Sequence, residues 1–254
     1  MRDYFHTFQF NGRFLYELGA VIAQPPTHIT SMRDINFQSI PGRSGDSIID
    51  NGRYENKTLQ FPIRAVPAFC DLSLQDFKYK LAEWLQVDDC EYKEFCDTYN
   101  PGYFRKGIVT EISEVVAVKR DVYETAITFN FEPFLYSNLG LQSVTFNSNS
   151  NFRIENVTFR NPEKWESEPI IEIIPSSSAT MSLKINDVLV AVYDTDKTII
   201  IDVPNRNVYD TDGEPCNDLI EAPKLPVLLP GNNEITASGT GGFSVKITPN
   251  WRRL

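Results

Sequence analysis

Along most of the chain apolar and polar residues alternate one for one, in runs that stop at Gly, Pro, Asn or Asp. That period of two marks half-buried β-strands joined by turns. In the run 124–134, Ile127, Phe129 and Phe131 point to one side and Thr128 and Asn130 to the other, until Pro133, which has no N–H, removes a ladder donor. Similar runs at 8–14, 35–40, 54–63 and 108–118 predict a sheet-rich first half. One segment follows a different period. Leu74, Phe77, Leu81, Trp84 and Leu85 recur at helical spacing, which predicts an amphipathic helix over 73–86. Ser73 is placed to cap it, with Asp76 as the acidic partner of a capping-box-like start. Its apolar stripe is expected to cover one face of the sheet.

After the aromatic strand ending at Phe134, Leu135 and Tyr136 the sequence turns polar and rich in Asn and Ser up to Phe152. This places a domain boundary near Asn138, giving domains 1–138 and 139–254. The second half reads as short strands at sandwich spacing: PIIEIIP, MSLKIND, VLVAVYD, KTIIIDV, NEITASG and FSVKITP. No helix is expected there. Pro204, Pro215, Pro223, Pro226 and Pro230 predict an irregular connection over 204–231.

In SIPGRSGDSIIDNGRY, turn residues Pro41, Gly42, Gly45, Asn51 and Gly52 bracket a strand-like run over 46–50. The pattern predicts a projecting hairpin arm over about 40–54. An arm gains little from burial within its own chain, so it is expected to dock on a neighbour. Pro41, Gly42, Arg43, Gly45, Ile48, Ile49, Gly52 and Tyr54 are the candidate subunit-interface residues.

The 254 residues are 41% hydrophobic and 23% charged, enough for a core of their own in one or two domains. The net charge is −10, shared evenly by the two halves, so the chain as a whole repels phosphate and sequence-reading nucleic-acid binding is not expected. Cys70, Cys90, Cys96 and Cys216 form no CxxC pair and have no His placed to complete a zinc site, which predicts reduced thiols. Asp3, His6 and Gln9 interrupt the opening residues where a signal peptide needs an apolar run, and no later run approaches a membrane span. Folding in a cytoplasm is therefore expected, and the N-x-Thr triplets at Asn56 and Asn156 carry no glycosylation meaning.

The chain offers little chemistry. His6 and His28 stand in no catalytic pattern, and the hydrolase-elbow, phosphate-loop and dinucleotide fingerprints are missing. Glu163, Glu166, Glu168 and Glu172 could supply a glycosidase pair, but 34 acidic residues produce such clusters by chance. Asp210, Asp212, Glu214, Asp218 and Glu221 mimic the spacing of a calcium loop, yet Pro215 stands where the sharp turn needs Gly. A solvent-facing acidic turn is the better reading. Trp165 and Trp251 could stack on sugars, but buried packing is the default reading of both. No catalytic, cofactor-binding or metal-binding residue is assigned.

Asn11–Gly12 with Leu18 and Gly19, PGRSG at 41–45 followed by GRY at 52–54, FNFEPFLY at 129–136, and the terminal PGNNEI and ITPNWRRL together resemble the distal tail protein family of long-tailed siphophages. The resemblance spans almost the whole chain. It implies a non-enzymatic virion protein of the tail tip, assembled in the bacterial host cytoplasm, with no cofactor and no membrane association. It also implies a homo-hexamer whose N-terminal domains close a ring, with a galectin-like C-terminal β-sandwich outside. Such a ring is a baseplate hub between the tail tube protein and the tail-associated tip protein, and DNA passes through it without specific binding. The chain leaves no room for an inserted carbohydrate-binding module, so its part in host attachment is expected to be indirect, through receptor-binding proteins. A carbohydrate-binding β-sandwich acting in host recognition is the alternative.

Overall fold

The structure, a computed structural model, describes residues 6–27, 30–66, 72–86, 89–119 and 122–254. His28 and Cys70 fall outside them. The chain forms two compact units, residues 1–135 with Leu254 and residues 136–253.

The first unit contains β1 (Phe8–Phe10), β2 (Arg13–Phe14), β3 (Ala20–Ile22), β4 (Arg33–Gln38), β5 (Ser47–Tyr54), β6 (Lys57–Ala65), α1 (Leu74–Leu85), β7 (Lys93–Asp97), β8 (Tyr103–Ile112), β9 (Val116–Lys119) and β10 (Val122–Phe131). Its main sheet runs in the order β2-β1-β7-β8-β10-β6-β3, with β9 pairing off β10. The alternation seen in the sequence sets the inward face. In β10, Tyr123, Thr125, Ile127, Phe129 and Phe131 are buried, and in β6 Lys57, Leu59, Phe61, Ile63 and Ala65 are buried opposite them. Phe8, Phe61, Phe95, Phe129 and Phe131 stack and edge against one another with centroids 4.9 to 6.3 Å apart. Gly107 of β8 lies beneath the Phe131 ring, where any Cβ would collide with it.

Helix α1 forms as its pattern predicts. The Ser73 hydroxyl accepts from the Asp76 N–H at 3.2 Å and donates to the Asp76 carboxylate at 2.6 Å. Phe77, Leu81, Trp84 and Leu85 are buried in the same aromatic core, and Trp84 Nε1 donates to the Phe10 carbonyl at 2.9 Å.

Several sequence runs divide where backbone geometry demands it. The run 8–14 is two strands folded at Asn11 and Gly12, both at positive φ (49° and 77°). The run 108–118 separates into the end of β8 and the short β9, and 54–63 breaks after Tyr54, before β6 begins at Lys57. The run 35–40 stands apart. Its apolar alternation predicts a strand without naming a sheet, and the residues lie in β4, which among the described residues pairs with β5 in a two-stranded sheet apart from the main one.

The second unit contains β11 (Leu135–Ser137), which spans the division, β12 (Val144–Asn147), β13 (Arg153–Asn161), β14 (Ile170–Pro175), β15 (Ala179–Ile185), β16 (Val188–Thr195), β17 (Ile199–Asp202), β18 (Asn207–Asp210), β19 (Ile220–Glu221), β20 (Gly231–Gly239), β21 (Phe243–Thr248) and β22 (Arg252–Arg253). Two five-stranded sheets, β12-β21-β14-β17-β18 and β13-β20-β15-β16-β19, bury Ile171, Ile173, Met181, Leu183, Val190, Ile199, Ile201, Ile235, Val245 and Ile247. The unit is a β-sandwich. Three parts of it depart from expectation. The polar stretch after 138 already holds a 3-10 turn, Asn138–Leu141, and the edge strand β12. Strand β13 was unreadable because polar residues dominate it. The Pro-rich 204–231 region carries β18, a second 3-10 turn at Asn217–Leu219, and β19.

Candidate assembly surface

The hairpin arm is longer than its turn residues announce, running from Arg33 to Tyr54 as a two-stranded sheet of its own. Its far end is made by the local sequence. Pro41 and Gly42 take the corner positions of a turn closed by the Arg43 N–H donating to the Ile40 carbonyl at 3.1 Å, with Gly42 at φ 80°. Pro supplies the fixed φ of the first corner and Gly the left-handed φ of the second. Gly45, at φ 88°, makes a further left-handed bend before β5.

The base is held by ions across an irregularity in the ladder, between the pairs Arg33↔Tyr54 and Ile35↔Asp50. Arg33 Nε meets Asp50 Oδ2 at 2.8 Å, and Arg53 Nε meets Asp34 Oδ2 at 2.6 Å. Asn51 Nδ2 donates to the other Asp34 oxygen at 2.8 Å, and the Gly52 N–H donates to Asp50 Oδ1 at 2.9 Å. Gly52 adopts φ 72° to make that bond. These donors hold both carboxyls below the ordinary carboxylate range, Asn51 and then Arg53 acting on Asp34, and the Gly52 N–H and then Arg33 on Asp50. The Arg33 guanidinium also lies 5.6 Å from the centre of the Tyr54 ring, and Tyr54 sets its edge against Phe134 at 5.6 Å. The arm is thus anchored at Tyr54 and free beyond it.

Register decides what the arm presents. Phe37 pairs with Ile48 and Ile35 with Asp50, so Ile35, Phe37 and Ile48 share one face, while Ile49 lies on the other beside Asn36. Phe37 is 65% exposed and Ile48 64%, and Met32, Ile35, Ile40 and Ile49 are exposed as well. Solitary exposed apolar residues are ordinary, but Ile35, Phe37 and Ile48 together on one face of a two-stranded element form a patch that water penalises. The sequence candidates Ile48 and Ile49 therefore point in opposite directions, and the turn residues Pro41, Gly42, Gly45 and Gly52 shape the arm. Met32, Ile35, Phe37 and Ile40 were not among the candidates. Their signal was present, but an alternating run does not say which sheet it joins.

The other motifs resolve into structural roles. Asp210 is the acceptor of its own turn, Oδ1 taking the Asp212 and Glu214 N–H groups at 3.0 Å each and Oδ2 taking Lys197 Nζ at 2.8 Å. The calcium-like spacing is that turn. Glu168 pairs with Arg252 at 2.7 Å and Glu172 with Lys246 at 2.8 Å. Trp251 is buried against Phe159, and Trp165 is half-buried. His6 stacks on Tyr99 at 4.3 Å. Among the described residues no cluster of His, Cys, Asp and Glu is spaced to hold a metal ion, and no helix is long and apolar enough to cross a membrane.

No protein-family model matches the sequence, and no curated protein does. Similarity emerges at the level of the fold. The SPP1 Dit protein (gp 19.1), described as a paradigm of the hub adsorption apparatus in phages infecting Gram-positive bacteria, superposes with a TM-score of 0.70 at 13% identity, over 98% of this chain and 99% of that one. A chain of the phage p2 baseplate in its activated conformation with strontium superposes with a TM-score of 0.52 at 9% identity, over 95% of this chain and 97% of that one. The same baseplate with calcium gives a TM-score of 0.50 at 9% identity. The chain has a Dit-like fold from end to end.

Proposed function

We propose that this chain is a structural, non-catalytic subunit of a siphophage tail tip, a baseplate hub that closes into a homo-hexameric ring. In this reading the arm of each subunit lies on its neighbour, and the ring joins the tail tube protein to the tail-associated tip protein and carries receptor-binding proteins. DNA passes through it, repelled from specific binding by a subunit charge of −10. The observation that carries the reading is the arm itself, an anchored two-stranded element that keeps Ile35, Phe37 and Ile48 in water on one face. A two-stranded hairpin is marginal alone, and one that leaves apolar side chains bare gains by covering them against another chain. Each large apolar side chain so covered contributes about 1.5–3 kcal/mol. The whole-length match to a phage hub protein at a TM-score of 0.70 supports the same reading.

A patch on the arm that meets a different patch on the next copy makes a heterologous contact, which closes when the rotation divides the circle. Light scattering on the eluting protein tests this. The expected mass is six times 29.0 kDa, falling to a single subunit when Phe37 and Ile48 are both changed to Asp. A monomer at every concentration, with no incorporation at the tail end in virion reconstitution, refutes the ring.

A further inference from the structure

Building on the ring proposed above, we infer that each arm is received by the outer edge of β9 on a second copy of this chain, where β4 of the arm joins as an antiparallel strand. A ring made by heterologous contacts needs two different patches on every subunit, one that reaches and one that receives. The arm is the first. Strand β9 (Val116–Lys119) has the properties of the second. It pairs with β10, and among the described residues its other edge meets no strand, which leaves a row of backbone N–H and C=O groups open to pairing. All four of its residues are exposed. Val116 pairs with Glu124 and Ala117 with the buried Tyr123, so Val116 and Val118 stand on the face turned away from the Phe core, 46% and 52% exposed. Glu124, on that same face, is neutralised by Arg64, whose Nε donates to it at 2.7 Å. Outside the arm, the other exposed large apolar side chains described in the first unit are Tyr16, Tyr79 and Tyr92, which stand singly on three different segments and each carry a hydroxyl that water can bind.

Spacing selects the strand that fits this edge. β9 offers two apolar side chains two residues apart on one face. β4 offers the same with Ile35 and Phe37, and among the described residues its own outer edge is open, since it pairs with β5 alone. β5 is a poor match, because the residues two positions either side of Ile48 are Asp46 and Asp50, and a valine of β9 would face a carboxylate. Antiparallel pairing is the more stable sense per residue, and it sets Phe37 against Val116 and Ile35 against Val118. The same register brings Lys119, which has no ion pair among the described residues, alongside Asp34. The Asp34 carboxylate accepts from Asn51 and Arg53 and keeps lone pairs for a further donor. Strand addition of this kind covers the bare face of the arm and the open edge of β9 in one contact, with main-chain bonds for affinity and the Ile–Val and Phe–Val pairs for register.

Light scattering on charge variants of the full chain tests the contact. Val118→Asp changes an exposed side chain, so the melting temperature should hold while the protein concentration needed for half-assembly rises roughly tenfold or more. Ile35→Lys alone should weaken assembly in the same way. Ile35→Lys combined with Val118→Asp sets opposite charges against each other and should recover most of what either change loses. Disulfide trapping reads the register independently of those variants. Phe37→Cys with Val116→Cys, in a chain also carrying Cys70→Ser and Cys90→Ser, should give a ladder of covalent multimers on a non-reducing gel that neither single variant gives, because facing residues of antiparallel strands, about 4.5–5.5 Å apart at Cα, lie within disulfide reach. A native chain that assembles while Val118→Asp assembles equally well, a charge swap that recovers nothing, or a missing ladder overturns the β9 contact and leaves the ring standing. A native chain that stays monomeric at every concentration refutes the ring and this contact with it.

Discussion

Lys57 shows how one residue can carry a cost that pH reveals. It is only 4% exposed in β6, with its Nζ donating to the Pro133 carbonyl at 3.0 Å, and burial, helped by the charge of Arg105, lowers its pKa to about 8. A folded pKa below the unfolded value of about 10.4 means that the unfolded chain binds more protons between the two. The cost is therefore fully present below pH 8 and shrinks as pH rises toward 10.4. Relative to Lys57→Met, the native chain should gain of order 2 kcal/mol between pH 7 and 10 in denaturant titrations, a gain the variant lacks. Gly140 makes a steric demand instead, since its Cα faces the Trp251 backbone so closely that any Cβ collides with the Trp251 N. Gly140→Ala should cost about 2–4 kcal/mol, read as a lowered melting temperature of the second unit. Among the thiols, Cys96 is pushed up to about 12 by burial and then by the Glu94 carboxylate, and Cys216 is buried, whereas Cys90 is exposed. Of these three, iodoacetamide at pH 8 should label Cys90 first and leave Cys96 and Cys216 nearly untouched, as peptide mass spectrometry would record.

At the scale of the element, α1 and the arm stand at opposite ends of legibility. The helix announced itself because both its stripe and its cap are local: Phe77, Leu81, Trp84 and Leu85 recur at the helical period, and Ser73 is three residues from Asp76. What no pattern could supply is the bond from Trp84 Nε1 to the Phe10 carbonyl, 74 residues away. Trp84→Phe should keep the helix but lose that hydrogen bond, costing about 1 kcal/mol in urea unfolding. In the arm the turn chemistry at Pro41, Gly42 and Gly45 was equally local and equally readable. Its first strand lay outside the arm predicted over about 40–54, because Ile35 and Phe37 alternate as any sheet residues do, and alternation is blind to the partner. The ion clasp could not be seen either, since it joins Arg33 and Asp34 to Asp50, Asn51 and Arg53 only after the strands fold back on each other.

At the scale of the whole molecule each unit has its own continuous core, one dominated by Phe around α1, the other by Ile, Val and Leu between two sheets. A unit with its own core can fold alone. Residues 136–254, expressed alone, should therefore give a cooperative thermal transition and dispersed β-type amide resonances. The sequence by itself determined the kind of element at most positions, because period-two burial, helical spacing and turn residues act over a few bonds. It determined helix α1, the hairpin corners and the absence of familiar catalytic motifs on the same local grounds. Tertiary structure alone decided which strands share a sheet, and that Ile48 and Ile49 face opposite ways while Ile48 meets Phe37. Those facts rest on contacts between residues distant in sequence. The energy of such contacts depends on register and burial, and a one-dimensional pattern carries neither.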